Sequence, residues 1–427
     1  MKRILISTGV LMLCLGARFI SLPGVQPTSH DGETLPMYSI MALGVMPFVS
    51  GFMVVEWAAL LVPGWRSLRM GDPRGRAKLN RAAVLVGLIL ALGQSLVLVT
   101  GLPGMGVIYP LEPAQKLVAV LTLMGATAAQ LTLARAVDRG GVGNGFSILI
   151  LGQMLPLTVK PLWRALHPGP SFQVSSWALP LGILSIAIMA GSALWMFRTR
   201  PNSADEGTPH PSWISRPACG ISPYTEVMNA FRIAAVVWYW STGQTVNLTM
   251  DSPLMLRLGI AVGAALLFAW LFNPPARIAE AWQRLAPNSP GGIPPLSMAF
   301  RECAAFIAVL TLVDFWGVRH LGSVAADVMA VLPVTAILYD LVREWRAREQ
   351  EPGLVPVWDV HQTYVVPPLL LCLKNEDIRA FPQGLHYRSL MQFFGPYAPI
   401  RILVPAHQAG LAEATLRDRL LKATVHA

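Results

Sequence analysis

Long apolar stretches dominate this chain, and short polar segments separate them. A run of about 17 to 25 mainly apolar residues is what a helix needs to cross a bilayer. Ten such runs occur, at residues 4–21, 38–62, 82–102, 114–136, 146–165, 176–197, 224–241, 256–273, 300–317 and 323–342. The first follows Lys2 and Arg3 as in a secretory leader, but it lacks a small-x-small cleavage site and ends in Arg18 and Pro23. It is therefore expected to stay as the first helix. The pattern changes near Glu351. "VPVWDV" and "PIRILVPA" predict strands and "RAFPQG" a weaker one, while "HQTYVVPPLLLCLKNED" and "QAGLAEATLRDRLLKA" predict helices, giving a small βαββα domain. Pro367 and Pro368 require the first of these helices to start late or kink. Two domains follow: a membrane part over 1–348 and an α+β tail over 349–427.

Composition supports the membrane reading. Hydrophobic residues make up 54% of the 427 and charged residues 13%, whereas soluble domains carry about 25% charged residues. The net charge of +10 is unevenly placed. "GWRSLRMGDPRGRAKLNR" holds Arg66, Arg69, Arg74, Arg76, Lys78 and Arg81 against Asp72. Further arginines follow the fourth, sixth, eighth and tenth runs, while "PTSHDGET" and "STGQTVNLTMDS" have no Lys or Arg. The positive-inside rule then predicts both termini in the cytoplasm. No basic face recurs with interleaved aromatics, so a nucleic-acid ligand is not expected.

Little in the chain carries catalytic or metal chemistry. Cys14, Cys219, Cys303 and Cys372 are scattered, no HExxH or Ser-His-Asp arrangement appears, and no cofactor or metal is expected. The conspicuous motif is "DRGGVGNGFS", which places Gly140, Gly141, Gly143 and Gly145 within six positions. It lacks the Lys-Ser/Thr ending of a phosphate loop, and a long apolar helix precedes it where a dinucleotide fold has a strand. A tight turn between two helices is the alternative, although that alone leaves Asn144 and Ser147 unexplained. Glu56, Arg232 and Asp327 fall inside apolar runs, where a charge costs on the order of 3 kcal/mol unless it meets water or a partner. Glu56 stands open between a polar pathway and an internal pair.

Several segments together resemble SecY, the protein-conducting channel of the bacterial plasma membrane. "LTLMGATAAQLTLARAVDRGGVGNGFSILILGQML" resembles its fourth helix, cytoplasmic turn and fifth helix, with Gly140, Gly143, Asn144 and Gly145 in the turn. "MALGVMPFVSGFMVVEW" is similar to its second helix, "FAWLFNPPARIAEAW" to its eighth and "LPVTAILYDLVREW" to its tenth. The tail resembles a compact ferredoxin-like domain appended to other proteins.

The SecY resemblance implies an all-α polytopic membrane protein of ten transmembrane helices in two inverted five-helix halves, carrying a small α+β C-terminal domain. Its function would be to move or insert unfolded polypeptide across or into the plasma membrane, and it would not be an enzyme. Implied partners are SecE/SecG-like small membrane subunits, a cytosolic motor or the ribosome, the unfolded chain and lipid. The resemblance assigns Val49, Met53 and Met154 to an apolar pore constriction and Gln94 to a lateral gate. It assigns Arg74, Arg76, Lys78, Arg277 and Arg284 to partner-contact loops. Departures are also plain: only eighteen residues separate Gly24 from Leu43, where the family has a plug helix, and Pro294 stands where the family has an Arg. Two other functions stay open, a non-conducting scaffold whose tail docks a partner and a small-molecule or ion transporter built around Glu56.

Overall fold

The computed structural model describes residues 2–25, 38–70, 73–101, 111–166, 177–197, 274–287, 304–313, 328–391 and 398–421, with isolated positions between 258 and 316. The chain forms two compact units, Met1–Gln153 with Phe393–Pro399, and Met154–Gln392 with Ile400–Ala427.

The first unit is helical. It contains α1 (Lys2–Ala17), α2 (Met46–Leu61), α3 (Pro63–Met70), α4 (Pro73–Gly101), α5 (Pro113–Gly140) and the first part of α6 (Gly145–Leu166). The second apolar run was expected to be helical from residue 38. Instead Tyr38–Val45 folds back against the end of α1: the Leu22 amide donates to the Tyr38 carbonyl (2.7 Å), and that of Ile40 to the Ile20 carbonyl (2.9 Å). Pro47 then occupies the first turn of α2, where its missing N–H costs nothing. The basic segment after α2 is also helical, as α3 and the start of α4, where the sequence reading placed a loop.

α2 and α4 pack closely because both present glycine at the crossing. A Cβ on Gly51 would lie 2.6 Å from the Gly87 nitrogen, so a side chain there would force the helices apart. Phe48 and Phe52 are fully buried on the same face of α2, and Phe52 packs on Phe146 of α6 with ring centroids 5.1 Å apart. Two described helices are long and apolar enough to cross a bilayer, Arg76–Gly101 and Pro113–Gly140, and four further apolar helices are shorter. Large apolar side chains such as Leu85, Ile89, Val97, Leu117 and Leu121 are exposed on α4 and α5, as surfaces facing lipid are.

The second unit contains the rest of α6, α7 (Ala178–Phe197), α8 (Pro275–Leu285), α9 (Ala304–Val313) and α10 (Val328–Gln350). The apolar run at 224–241 lies outside the described residues. α10 continues past its apolar part without a break and delivers the chain to the C-terminal domain. There β1 (Leu354–Val360), α11 (Val366–Asn375), β2 (Phe381–Gln383), α12 (Leu385–Leu390), β3 (Ile400–Pro405) and α13 (Ala409–Leu421) follow in order. β3 lies between β1 and β2 and is antiparallel to both, with Val360 opposite Ile400 and Phe381 opposite Leu403. β1 is bulged at Val357, where the register shifts between Pro356 and Trp358. Pro367 falls in the first turn of α11, so the helix starts late, after a 3-10 turn at Thr363–Val365. α12 was not expected from the sequence. Ile400, Ile402 and Val404 alternate along β3 onto one sheet face, where Val366, Leu369, Leu373, Ala412 and Leu416 close the core.

Candidate functional site

In the first unit, the glycine motif is a turn held from three sides. α5 runs as far as Gly140, the backbone reverses through Gly143 in the left-handed region (φ 85°), and α6 begins at Gly145. Asp138 Oδ1 accepts from the Gly145 amide (2.9 Å). Asn144 Oδ1 accepts from the amides of Phe146 (3.0 Å) and Ser147 (3.4 Å), so Asn144 caps α6 and the donors it serves are those a new helix leaves open. The third tie comes from α1: Ser7 Oγ accepts from the Val142 amide and donates to the Val142 carbonyl, both at 2.8 Å. A Cβ at Gly145 would overlap the backbone of Ala134, so α5 and α6 touch backbone to backbone here. A Cβ at Gly140 would meet only the end of the Ile6 side chain. The sequence drew attention to Asn144, and its role is now explicit. Ser7 was missed, because a serine 135 residues away carries no local signal.

Glu56 resolves one open reading. It is 1% exposed on α2, and Arg76 Nη1 of α4 lies 3.5 Å from its Oε1. It is therefore buried in an internal pair, not turned toward a transport pathway. Arg76 is corrected with it. Expected among the partner-contact residues, it is 6% exposed and points inward, because desolvating a carboxylate on α2 requires a cation nearby. Lys78, on α4, is exposed, and the Arg74 side chain lies outside the described residues.

Val49 and Met53 lie four residues apart on α2, and both are half-buried, next to the face packed on α4. Gln94 is half-buried on α4. In the second unit, Met154 is half-buried on α6, where its carbonyl accepts from Thr158 Oγ1 (3.1 Å).

Also in the second unit, α8 is two-faced. Arg277 and Arg284 are exposed and both pair with Glu280 one turn away, Arg277 at 2.9 Å. Ile278, Trp282 and Ala286 are buried with Tyr364 of the C-terminal domain, and Leu285 enters that domain's core. α10 meets the domain through charge. Asp340 Oδ2 accepts from the Tyr387 amide (2.8 Å), and its Oδ1 lies 2.6 Å from His386 Nδ1. Arg343 Nη1 lies 3.3 Å from His386 Nε2, and Glu344 accepts from Gln383 Nε2 (2.7 Å). Tyr339 and Phe197 stand edge-on to the His386 ring, with centroids 4.7 and 5.0 Å away. The domain's buried Arg388 donates to the carbonyls of Met391 (2.5 Å) and His361 (2.8 Å). Nothing in the sequence reading linked α8 or Asp340 to the tail, although Ile278, Trp282 and Leu285 at i, i+4, i+7 are the signature of a covered face. Among the described residues no three His, Cys, Asp or Glu side chains gather as a metal site.

Known proteins match this chain in the same terms. The SecY family model matches residues 39–199, which include α2, α4, the glycine turn and α6. The SecY translocase subunit of Staphylococcus carnosus (strain TM300) is 22% identical over 381 residues, covering 78% of this chain and 86% of that protein. The SecY of Pseudomonas aeruginosa is 27% identical over 161 residues, 38% of this chain and 36% of that protein. A structure described as that of a protein conducting channel superposes with TM-score 0.52 at 12% identity, over 82% of this chain and 92% of that one. Sec61 in a canine ribosome-channel complex gives TM-score 0.53 over the same shares. The chain shares the helical fold of those two structures. In sequence the chain is similar to the SecY family, over residues 39–199 by the family model and at 22% identity to the Staphylococcus carnosus subunit.

Proposed function

We propose that the protein is a protein-conducting channel subunit of a Sec-type translocase, moving or inserting unfolded polypeptide across or into the plasma membrane. One observation carries the reading: the family match spans the second to sixth apolar runs and encloses the glycine turn, in which Asp138 and Asn144 each bond amides at the start of α6. In this reading ten helices form two inverted halves, both termini are cytoplasmic, and the C-terminal domain is ferredoxin-like. Val49, Met53 and Met154 form an apolar constriction, which seals against ions by dewetting and gives a passing chain no hydrogen-bonding partner. Gln94 bonds across a lateral gate. SecE/SecG-like subunits complete the assembly, and a cytosolic motor or ribosome reaches the exposed Lys78, Arg277 and Arg284. Glu56, closed in its pair with Arg76, gives no support to a small-molecule transporter.

The test is site-specific crosslinking. A photoreactive residue at Val49 or Met53, in protein co-expressed with a stalled secretory chain, should capture that chain. One at the lipid-exposed Leu85 should capture none. Equal capture at all three positions, or capture at none, overturns the conducting role.

A further inference from the structure

α8 joins the C-terminal domain through apolar burial, and α10 joins it through hydrogen bonds and charge. The two seats lie on different elements of the domain. Trp282 and Ile278 pack with Tyr364, Val365 and Leu371, just before and within α11, and Leu285 enters the core beside Val366 and Leu369. Asp340 receives the amides of His386 (3.3 Å) and Tyr387 (2.8 Å) at the start of α12, and Glu344 holds the Gln383 side chain at the end of β2. Between them the domain is rigid by construction: a common core joins α11, β3 and α13, and Arg388 ties α12 to the carbonyl of His361 just before α11. Ile278, Trp282 and Leu285 are all buried, so the α8 seat is held by three large apolar side chains taken out of water. A carboxylate bonded to two amides at a helix start is the strong form of a cap.

We propose that the C-terminal domain is a brace that couples α8 to α10, so that α8 cannot shift relative to α10 until one of its two seats opens. The domain is then a mechanical element of the membrane part and not a mobile docking module. The interaction is intramolecular, and it holds whatever passes through the protein. A failed brace would leave the conducting reading standing, and the converse is equally true.

Hydrogen exchange on the full chain in lipid nanodiscs tests the coupling. Asp340→Ala removes bonds to His386 and Tyr387 only, yet the brace requires amide exchange in residues 275–285 to accelerate as well, by about tenfold or more. In the other direction, Trp282→Ala should accelerate exchange in residues 385–390. Protection in β3 reports whether the domain itself has unfolded. If Asp340→Ala unfolds it, Gln383→Ala cuts a single bond of the same seat and should still accelerate exchange in 275–285 by about threefold. Exchange confined to the mutated seat, with the other unchanged, overturns the proposal.

Discussion

A methyl group at position 145 would occupy the space of the Ala134 backbone, so Gly145 lets α6 lie directly against α5 at Ala134. The replacement Gly145→Ala must push the helices apart and pull the Gly145 amide from Asp138 Oδ1. The cost should be at least 1–3 kcal/mol, the range for overpacking, seen as a lower melting midpoint in detergent. Gly140→Ala, which meets only the end of Ile6, should cost less.

Ser7 holds the same turn from another helix. Ser7→Ala leaves the Val142 amide without its partner in a buried place, an expected loss of about 1–3 kcal/mol. Ser7→Gly removes the same hydroxyl and should cost no less. If either variant melts with the parent, the tie to α1 is not structural.

The Glu56–Arg76 pair predicts an asymmetry. Glu56→Ala removes the carboxylate beside a buried guanidinium, and breaking a buried pair costs about 3–5 kcal/mol. Glu56→Gln keeps an acceptor and should recover much of that. Yield of folded protein and melting midpoint rank the three chains, and equal values for Ala and Gln would remove the pair's importance.

Burial pushes the Tyr387 phenol well above its ordinary value of 10.0, against a smaller lowering by Arg388. In the unfolded chain the phenol ionises near its ordinary value, so only the unfolded form gains from high pH. The stabilisation is fully present below pH 10 and is lost as pH rises above it. Tyr387→Phe should therefore flatten the fall in melting midpoint of the C-terminal domain above that pH, and an identical slope in both chains would count against the assignment.

Much of this was legible in the residues. Eight of the ten apolar runs contain a described helix, and the tail's strands stand where alternation placed them. Length and hydrophobicity act locally, which is why they read so directly. What stayed hidden was relational. Ser7 bonds a turn 135 residues on, Arg76 turns inward because Glu56 sits opposite, and Asp340 caps a helix 46 residues later. α12 escaped notice because six residues are too few to show a helical period. α3 hid in a basic segment whose charges read as a loop.

The order of synthesis gives α8 a particular history. Its apolar stripe of Ile278, Trp282 and Leu285 is made well before Tyr364 and the core that covers it. Throughout that interval the nascent chain displays a tryptophan-bearing helix with no partner, the kind of surface that chaperones and proteases recognise. Chains cut short before Tyr364 keep that stripe bare for good. The covering of Trp282 thus marks a finished molecule, and a cell could sort complete copies from broken ones by that one side chain.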